Sequence, residues 1–361
     1  MDKVIAVTGL HRGDNPQPGA AVIRSLRRMY PDVRIVGLSY DPLESGLFSH
    51  GLDRVDAAYS VAFPGHGPEA LKERLADILA TEKIDAIIPC LDSEIENFIT
   101  LAGFFAERGI KTLLPPRGAI KKRDKAQLAE FCVQNHIHCP KTVSAYDATT
   151  LVSAVGGLGG YPVFIKGPLY EGRLINNAAD LAHYANQLLQ KWGGPVLAQQ
   201  ALVGEEYCVT GVADGNSNLL AQCAIRKLLV TSAGKGFAGI VITDPDLNRI
   251  AERIIRQLEW TGPFELEFVK PIKGPHMLIE INPRFPAWID FPSQIGCNLP
   301  GMLLDRLFEV KGNEQKACPA GRMFIRHSID LVGDISDIAR LVTTGTMHYF
   351  QASLAEAEIA E

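Results

Sequence analysis

The segment FELEFVKPIKGPHMLIEINPRFPAW, residues 264–288, sets three glutamates and an asparagine into two strongly apolar runs. Side chains alternate across a β-strand, so Glu265 and Glu267 share one face of the first run, and Glu280 and Asn282 share one face of the second. The link between the runs contains two prolines and a glycine, which predicts a turn and an antiparallel hairpin. Such a hairpin would gather carboxylates and one amide oxygen on a single surface.

Two explanations fit the polar face of this hairpin. A half-exposed sheet commonly turns its polar face to water, and the segment taken alone favours that explanation. The alternative is a site for a hard cation, because Mg²⁺ takes oxygen ligands and is usually held by one or two carboxylates together with substrate phosphates. The alternation also predicts an apolar face of Met277, Ile279 and Ile281, with His276 and Leu278 on the polar side.

The bulk composition is that of an ordinary globular protein. The chain has 361 residues, 47% hydrophobic and 21% charged, so two or three domains are expected and disorder is not. A net charge of −5 without a long basic run argues against a nucleic-acid partner. The seven cysteines lack metal-ligand or redox spacing, no apolar run could span a bilayer, and no signal peptide is visible. A cytoplasmic protein with reduced thiols and no membrane partner is expected.

The order of strands and helices predicts the domains. Short apolar strands, from KVIAVTG to IKTLLP, alternate with amphipathic helical patterns, which predicts an α/β domain with a parallel sheet. A proline-rich joint marks a boundary near Pro115. The predicted units are an N-terminal domain at residues 1–115, a second domain at 116–310 with a small part at about 120–200 and a larger part at about 201–310, and a C-terminal strand and helix at 311–361.

Two loops at the expected carboxyl edge of the parallel sheet could bind a ligand. TGLHRGDNPQPGAAV places Gly9, Gly13 and Gly19 between a strand and a helix, where backbone N–H groups can cradle an anion. The spacing is not a dinucleotide fingerprint, and a connection that needs glycine explains it equally well. LDSE offers Asp92 to a cationic substrate group or as a helix cap, although Ser93 is the stronger candidate for the cap.

Two lysines and one strand break could bind a nucleotide. Lys125 lies near a predicted helix start, where most lysines are solvated. Lys166 ends the apolar run GYPVFIK, and a buried lysine needs an anionic partner such as phosphate. QQALVGEEY, residues 199–207, then offers exposed backbone near Leu202 for an adenine edge and Glu206 for ribose hydroxyls.

In this order the parts resemble the ATP-grasp superfamily, in the branch that contains biotin carboxylase, the large chain of carbamoyl-phosphate synthetase and many carboxylate–amine ligases. The resemblance runs from about Pro115 to Pro286. It implies α/β and α+β architecture, with an ATP-grasp fold preceded by a parallel-sheet, Rossmann-like domain. It also implies ATP and Mg²⁺ as cofactors, with Mn²⁺ as a substitute, and so explains the acids of the hairpin.

The family motifs assign roles to individual residues of this chain. Glu265 remains outside the metal set, as a supporting or solvated residue, and Gln199 stands where the family usually has glutamate. The assignments are Lys125, Lys166, Gln199, Gln200, Leu202 and Glu206 to ATP, Glu267, Glu280 and Asn282 to Mg²⁺, and Arg284 with Lys166 to the transferring phosphate.

Several positions depart from the family pattern. The loop after Lys166 is GPLYEGR rather than a long glycine run, so closure over phosphate could be looser or could rely on Arg173. Trp288 stands where small residues are common and could shape the substrate pocket or belong to the core. Lys235 and Arg326 could contact substrate, or could be a solvated loop lysine and an ordinary strand ion pair.

The resemblance implies an ATP-dependent ligase that forms a C–N bond. ATP would phosphorylate a carboxylate to give an acyl phosphate and ADP, and an amine would then displace phosphate, while the protein positions the reactants and neutralises charge. The carboxylate and amine could be small molecules, peptides or carrier-bound groups, and the family permits a homodimer. The alternatives are a bicarbonate-activating carboxylase or carbamoyl-phosphate-type subunit, which would need a partner, and a non-catalytic ATP-binding regulatory protein.

Overall fold

Three β-sheets position the residues discussed above. A computed structural model describes residues 1–11, 16–167, 172–216, 218–231, 234–310 and 317–348. Of the sequence motifs, Gly13 and residues 168–171 and 232–233 lie outside the described residues. None of the helices in the described ranges is long and apolar enough to cross a membrane.

Four parallel strands and one antiparallel strand form the N-terminal sheet, which confirms the parallel α/β arrangement predicted for this part. Its strands are β1 (Val4–Val7), β2 (Arg34–Ser39), β3 (Ala57–Ser60), β4 (Ala86–Ile88) and β15 (Thr346–His348), in the order β15–β3–β2–β1–β4. Its helices are α1 (Gly19–Met29), α2 (Gly67–Leu79), α3 (Ile95–Thr100) and α4 (Ala102–Glu107), with 3₁₀ turns at Ser45–Phe48, Gly51–Asp53 and Pro64–His66. Because side chains alternate along β1, Ile5 and Val7 lie in the same buried cluster as residues of α1, and Ala6 lies in the cluster that contains residues of α2.

Two expectations for this domain were wrong. The segment IKTLLP makes only a single bridge, between Lys111 and Ala86, because the prolines that follow end the pairing. Ser93 does not cap the next helix, since Glu94 occupies the N-cap position of α3 without a capping side-chain bond. The Glu94 carboxylate instead points into the sheet edge, where it accepts hydrogen bonds from Thr8 Oγ1 at 2.5 Å and from the Cys90 backbone N–H at 2.7 Å.

Glu44 is a second buried carboxyl group at this sheet edge and makes stability depend on pH. It is 4% exposed, and its Oε2 has no hydrogen-bond partner within the described ranges. Burial raises the pKa of Glu44 to about 7. An acid whose pKa is raised by folding stabilises the protein below its unfolded pKa, and that stabilisation is lost as the pH rises toward the folded pKa.

We therefore expect wild type to lose up to about 3 kcal/mol of unfolding free energy between pH 4 and pH 8 relative to Glu44→Gln, which cannot ionise. Urea unfolding of both proteins across this range measures the difference. Parallel pH profiles for the two proteins would contradict the burial argument.

The small sheet follows the first domain and carries Lys166. Two helices lead into it, α5 (Arg117–Arg123) and α6 (Lys125–Gln134). Its antiparallel strands are β5 (Thr142–Ala145), β6 (Val163–Lys166), β7 (Gly172–Ile175) and β8 (Val196–Gln200), in the order β5–β8–β6–β7. The helices α7 (Ala148–Leu158) and α8 (Ala178–Trp192) share one apolar core with these strands.

The large sheet carries the acidic hairpin. Its antiparallel strands are β9 (Gly204–Asp214), β10 (Leu219–Val230), β11 (Gly236–Val241), β12 (Thr261–Pro271), β13 (Met277–Asn282) and β14 (Met323–Ile325), in the order β13–β12–β9–β10–β11–β14. The helices in this part of the chain are α9 (Pro245–Gln257), α10 (Asp290–Gln294) and α11 (Leu299–Phe308), whereas α12 (Ile335–Thr344) packs against β3 and β15 of the N-terminal sheet. Asp244 caps α9 and accepts a hydrogen bond from Leu247 N at 3.0 Å.

The predicted pairing of the two glutamate runs is confirmed, but the predicted alternation of the second run is not. Strands β12 and β13 pair antiparallel, and Phe264, Leu266 and Phe268 are fully buried. The register shifts between Glu267 and Phe268, and a β-bulge of this kind changes which side chains share a face. As a result Leu278 enters the core with Ile281, whereas Met277 and Ile279 are only half-buried.

Candidate nucleotide- and metal-binding site

Lys166, the last residue of β6, lies in a cleft between the small sheet and the acidic hairpin. Its Nζ donates a hydrogen bond to Gln199 Oε1 at 2.8 Å, and Gln199 Nε2 donates to Thr142 Oγ1 at 3.0 Å. These three residues line a small cleft that Ile279 also borders. Burial lowers the pKa of Lys166, and the nearby Glu280 opposes that shift. The hairpin acids are therefore within electrostatic reach of this lysine.

Lys125 approaches the same acids from a different element. It is the first residue of α6, whose N-cap Asp124 accepts a hydrogen bond from Ala126 N at 2.9 Å. Lys125 Nζ lies 4.0 Å from Glu280 Oε1. Two lysines that are 41 residues apart in sequence, at positions 125 and 166, thus border one cleft opposite the hairpin.

Three oxygen-bearing side chains project from one face of the hairpin. Glu267 lies directly opposite Glu280 in the strand register, and such pairs have Cβ atoms about 4.5–5.5 Å apart. Asn282 donates its NH₂ group to Glu267 Oε1 at 3.2 Å, so its amide oxygen is not used in that bond. Two carboxylates and an amide oxygen fit Mg²⁺, which completes its coordination with phosphate and water. The described residues contain no group of three or more His, Cys, Asp or Glu side chains placed to hold a metal by themselves.

Lys227 belongs to this site, although the sequence interpretation missed it. Its side chain is 4% exposed, and its Nζ lies 2.7 Å from Glu267 Oε2 and 3.0 Å from Glu206 Oε2. Burial disfavours the charge, but the groups around the ammonium, Glu267 and Glu206 among them, raise the pKa of Lys227. The pairing of β9 with β10 brings these residues together, because its register sets Arg226 opposite Tyr207 and therefore Lys227 beside Glu206.

We expect Lys227→Met to destabilise the metal-free protein by about 2 kcal/mol, because it leaves two partly buried carboxylates without their cation. Added Mg²⁺ should then stabilise the variant more than it stabilises wild type. Urea unfolding with chelator and with Mg²⁺ measures both effects, and Lys270→Met, at a half-exposed position on β12, is the control. An identical response of Lys227→Met and wild type to Mg²⁺ would contradict this role.

Arg284 joins the hairpin to the N-terminal domain. Its Nε donates to Asp92 Oδ2 at 2.7 Å, and its Nη1 donates to Glu265 Oε2 at 3.3 Å. Arg123 Nη1 lies 3.4 Å from Asp92 Oδ1. Burial opposes ionisation of Asp92, but Arg284 and Arg123 outweigh it and lower the pKa of Asp92. The structure therefore places Asp92 against two arginines, and a substrate contact by Asp92 stays a prediction.

The break between β8 and β9 lies where an adenine contact was predicted. Gln200 ends β8 and its N–H donates to Lys141 O at 2.9 Å, while Leu202 lies outside both strands and is half-buried. Glu206 lies on β9 with its side chain 38% exposed. The nucleotide roles of Gln200, Leu202 and Glu206 stay predictions.

The other three candidate substrate residues surround the Arg284 end of the hairpin. Trp288 is 5% exposed, and its indole stacks on Phe324 with ring centroids 6.2 Å apart. Burial and the nearby Arg284 lower the pKa of Lys235. Arg326 follows β14, and its two terminal nitrogens are buried without a hydrogen-bond partner among the described residues, while burial lowers its pKa to about 10. An ordinary ion pair therefore does not explain Arg326.

Comparison with known proteins identifies the fold that carries these residues. The family described as "ATP-grasp in the biosynthetic pathway with Ter operon" matches residues 194–327, from the end of the small sheet through β14. A solved biotin carboxylase from Campylobacter jejuni has a TM-score of 0.68 at 14% identity, over 90% of this chain and 74% of that chain. The chain has the fold of ATP-grasp proteins, and residues 194–327 match an ATP-grasp family model.

Further solved structures share this fold. An L-amino acid ligase from Bacillus licheniformis has a TM-score of 0.63 at 12% identity, over 89% of this chain and 78% of its own. The biotin carboxylase domain dimer of the Hydrogenobacter thermophilus 2-oxoglutarate carboxylase, solved with MgADP and bicarbonate, has a TM-score of 0.64 at 17% identity, over 88% of this chain and 72% of that chain. The large chain of carbamoyl phosphate synthase from Campylobacter jejuni is 24% identical in an alignment 236 residues long. The match covers 59% of this chain and 21% of that protein.

Proposed function

We propose that this protein is an ATP-dependent ligase that joins a carboxylate to an amine. The observation that carries the proposal is the convergence of Lys125 and Lys166 on the face of the hairpin that bears Glu267, Glu280 and Asn282. Cations at one wall of a cleft and oxygen ligands at the other suit a nucleotide triphosphate, which brings its own negative charge and divalent cation.

The residues on the two sides of the cleft would bind different parts of the nucleotide and its metal ion. Lys166 and Lys125 would offset phosphate charge, while the backbone near Leu202 and the Glu206 carboxylate would hold adenine and ribose. Glu267, Glu280 and Asn282 would hold Mg²⁺, or Mn²⁺ in its place, which when bound neutralises charge on the phosphates. Arg284 would stabilise charge on the transferred phosphoryl group, since its guanidinium is already fixed by Asp92.

The acceptor would lie at the Arg284 end of the site. Phosphoryl transfer to its carboxylate gives an acyl phosphate and ADP, and attack by the amine then releases phosphate and forms the C–N bond. Arg326 has two buried nitrogens without a partner in the part of the chain that the structure describes, so it suits a carboxylate, and Lys235 lies near the same group of charges. Trp288 would close this pocket on its apolar side. We further propose that the protein works in the cytoplasm and forms a homodimer.

An ADP-release assay with purified protein, Mg²⁺–ATP and pools of carboxylates and amines tests this proposal. Turnover that requires both an acid and an amine supports the ligase, and mass spectrometry of the product identifies the pair. Turnover with bicarbonate alone would instead favour a carboxylase or carbamoyl-phosphate-type activity. Nucleotide binding without ADP release under any pool would favour a regulatory protein.

A further inference from the structure

Glu265 is buried beside the proposed metal ligands and accepts hydrogen bonds from three side chains. It is 6% exposed, so it is not the solvated residue that the sequence left open. Its Oε2 accepts from Asn282 Nδ2 at 3.1 Å and from Arg284 Nη1 at 3.3 Å, and its Oε1 accepts from Trp288 Nε1 at 3.2 Å. One carboxylate therefore contacts a proposed metal ligand, the phosphate-side arginine and the pocket tryptophan.

We propose that Glu265 is the positioning residue of this site, which orients Asn282 and Arg284 without touching metal or substrate. The inference rests on the proposed function and deepens it. A carboxamide can exchange its oxygen and NH₂ group by a half-turn, and only the oxygen can bind a cation. With Glu265 and Glu267 both facing the NH₂ group of Asn282, that half-turn would set its oxygen against two carboxylates.

The backbone holds Glu265 in place for this task. It lies directly opposite Asn282 in the β12–β13 register and opposite Thr210 in the β12–β9 register, so its strand is paired on both sides. Thr210 Oγ1 also donates to the carbonyl of Phe264, the preceding residue, at 2.8 Å. A side chain on such a strand is a firmer support than one on a loop.

A carboxylate suits this position because it only accepts hydrogen bonds. All three of its partners are N–H donors, and they lie on both of its oxygens. A glutamine would turn its own NH₂ group toward either Trp288, where it opposes one donor, or the pair of Asn282 and Arg284, where it opposes two. The isosteric variant Glu265→Gln is therefore a specific disruption.

We expect Glu265→Gln to raise the Mg²⁺ concentration needed for half-maximal ADP formation and to lower kcat, each about 10- to 100-fold. The KM for ATP at saturating Mg²⁺ should stay near that of wild type, because Lys166 and Gln199 are untouched. A purely structural role would lower the melting temperature and leave the Mg²⁺ requirement unchanged. Glu252→Gln, at an exposed position on α9, is the matched control.

A second substitution tests the cause. Glu265→Gln/Trp288→Phe removes the indole N–H. The glutamine NH₂ group can then turn to that side without opposing a donor, and the glutamine oxygen can again accept from Asn282 and Arg284. The Mg²⁺ requirement should return toward wild type relative to Glu265→Gln alone. If Glu265→Gln does not fold, Glu265→Asp takes its place, with a smaller rise in the Mg²⁺ requirement expected because the carboxylate is kept but displaced. No rescue by the double variant, or a wild-type Mg²⁺ requirement in either single variant, would overturn the proposal.

Calorimetric titration of Mg²⁺–ADP separates this inference from the proposed function, because it needs no turnover. Failure of the wild-type protein to bind Mg²⁺–ADP would refute the proposed function itself. Binding by wild type and by Glu265→Gln with the same dependence on Mg²⁺ would refute only the role of Glu265. Weaker, Mg²⁺-dependent binding by the variant supports it.

Discussion

Glu280→Gln is expected to abolish ADP formation while the protein remains folded. Glu280 lies on β13 opposite Glu267, and its side chain is 39% exposed, so the substitution removes no core packing. A neutral amide oxygen is a weaker ligand for Mg²⁺ and carries no compensating charge. The loss should exceed the roughly 10- to 100-fold effect of a group that only supports a ligand. We expect at least about a thousandfold, which is about 4 kcal/mol in the barrier.

A coupled assay for ADP at saturating Mg²⁺ and ATP measures this effect, and circular dichroism checks the fold. Glu252→Gln makes the same chemical change at an exposed position away from the hairpin and should keep wild-type turnover. Near-normal turnover of Glu280→Gln would contradict the assignment of Glu280 to the metal.

Lys166→Met is expected to weaken nucleotide binding about 10- to 100-fold, because a hydrogen bond to a charged group contributes about 1.5–3 kcal/mol. The nucleotide-free protein should be at least as stable as wild type, since burial lowers the pKa of Lys166 and so disfavours its charge. Because the pKa of Lys166 is lowered, this lysine loses its charge at a lower pH than a freely solvated lysine. Wild type should therefore begin to lose nucleotide affinity at that lower pH. Lower affinity without lower stability distinguishes a ligand-binding lysine from a structural one.

Calorimetric titration with Mg²⁺–ADP and thermal unfolding measure the two quantities for Lys166→Met. Lys72→Met, at an exposed position on α2 in the N-terminal domain, is the control. Unchanged affinity in Lys166→Met would remove this lysine from the nucleotide site and would weaken the case for the cleft as a whole.

The elements of the large sheet could be predicted because their signals are local. Alternating Phe264, Leu266 and Phe268 mark a strand with one buried face, and proline with glycine marks the turn after it. Asp244 before a proline marks a helix start. The grouping of Glu267 with Glu280 follows from these local signals, since a hairpin with a short link leaves few registers.

The remaining features depend on contacts between segments that are far apart in sequence. The β-bulge beside Glu267 inserts one residue into the pairing, and no residue type near it marks that shift. Arg123 and Arg284 reach Asp92 from two other elements, so the role of this carboxylate depends on how the domains pack. Glu265 and Glu267 both lie between apolar residues in the sequence. Only the three-dimensional arrangement shows that Glu267 faces the cleft and that Glu265 is enclosed.

The return of the chain to its first sheet has a mechanical consequence. The polypeptide leaves that sheet after β4, builds the other two sheets, and comes back to place β15 against β3, where Met347 is 1% exposed. Two separate covalent tethers therefore connect the N-terminal sheet to the rest of the molecule. A single backbone cut near Pro115 would leave the pieces linked through the second tether, and any swinging of one part against the other is confined to motions that both tethers allow.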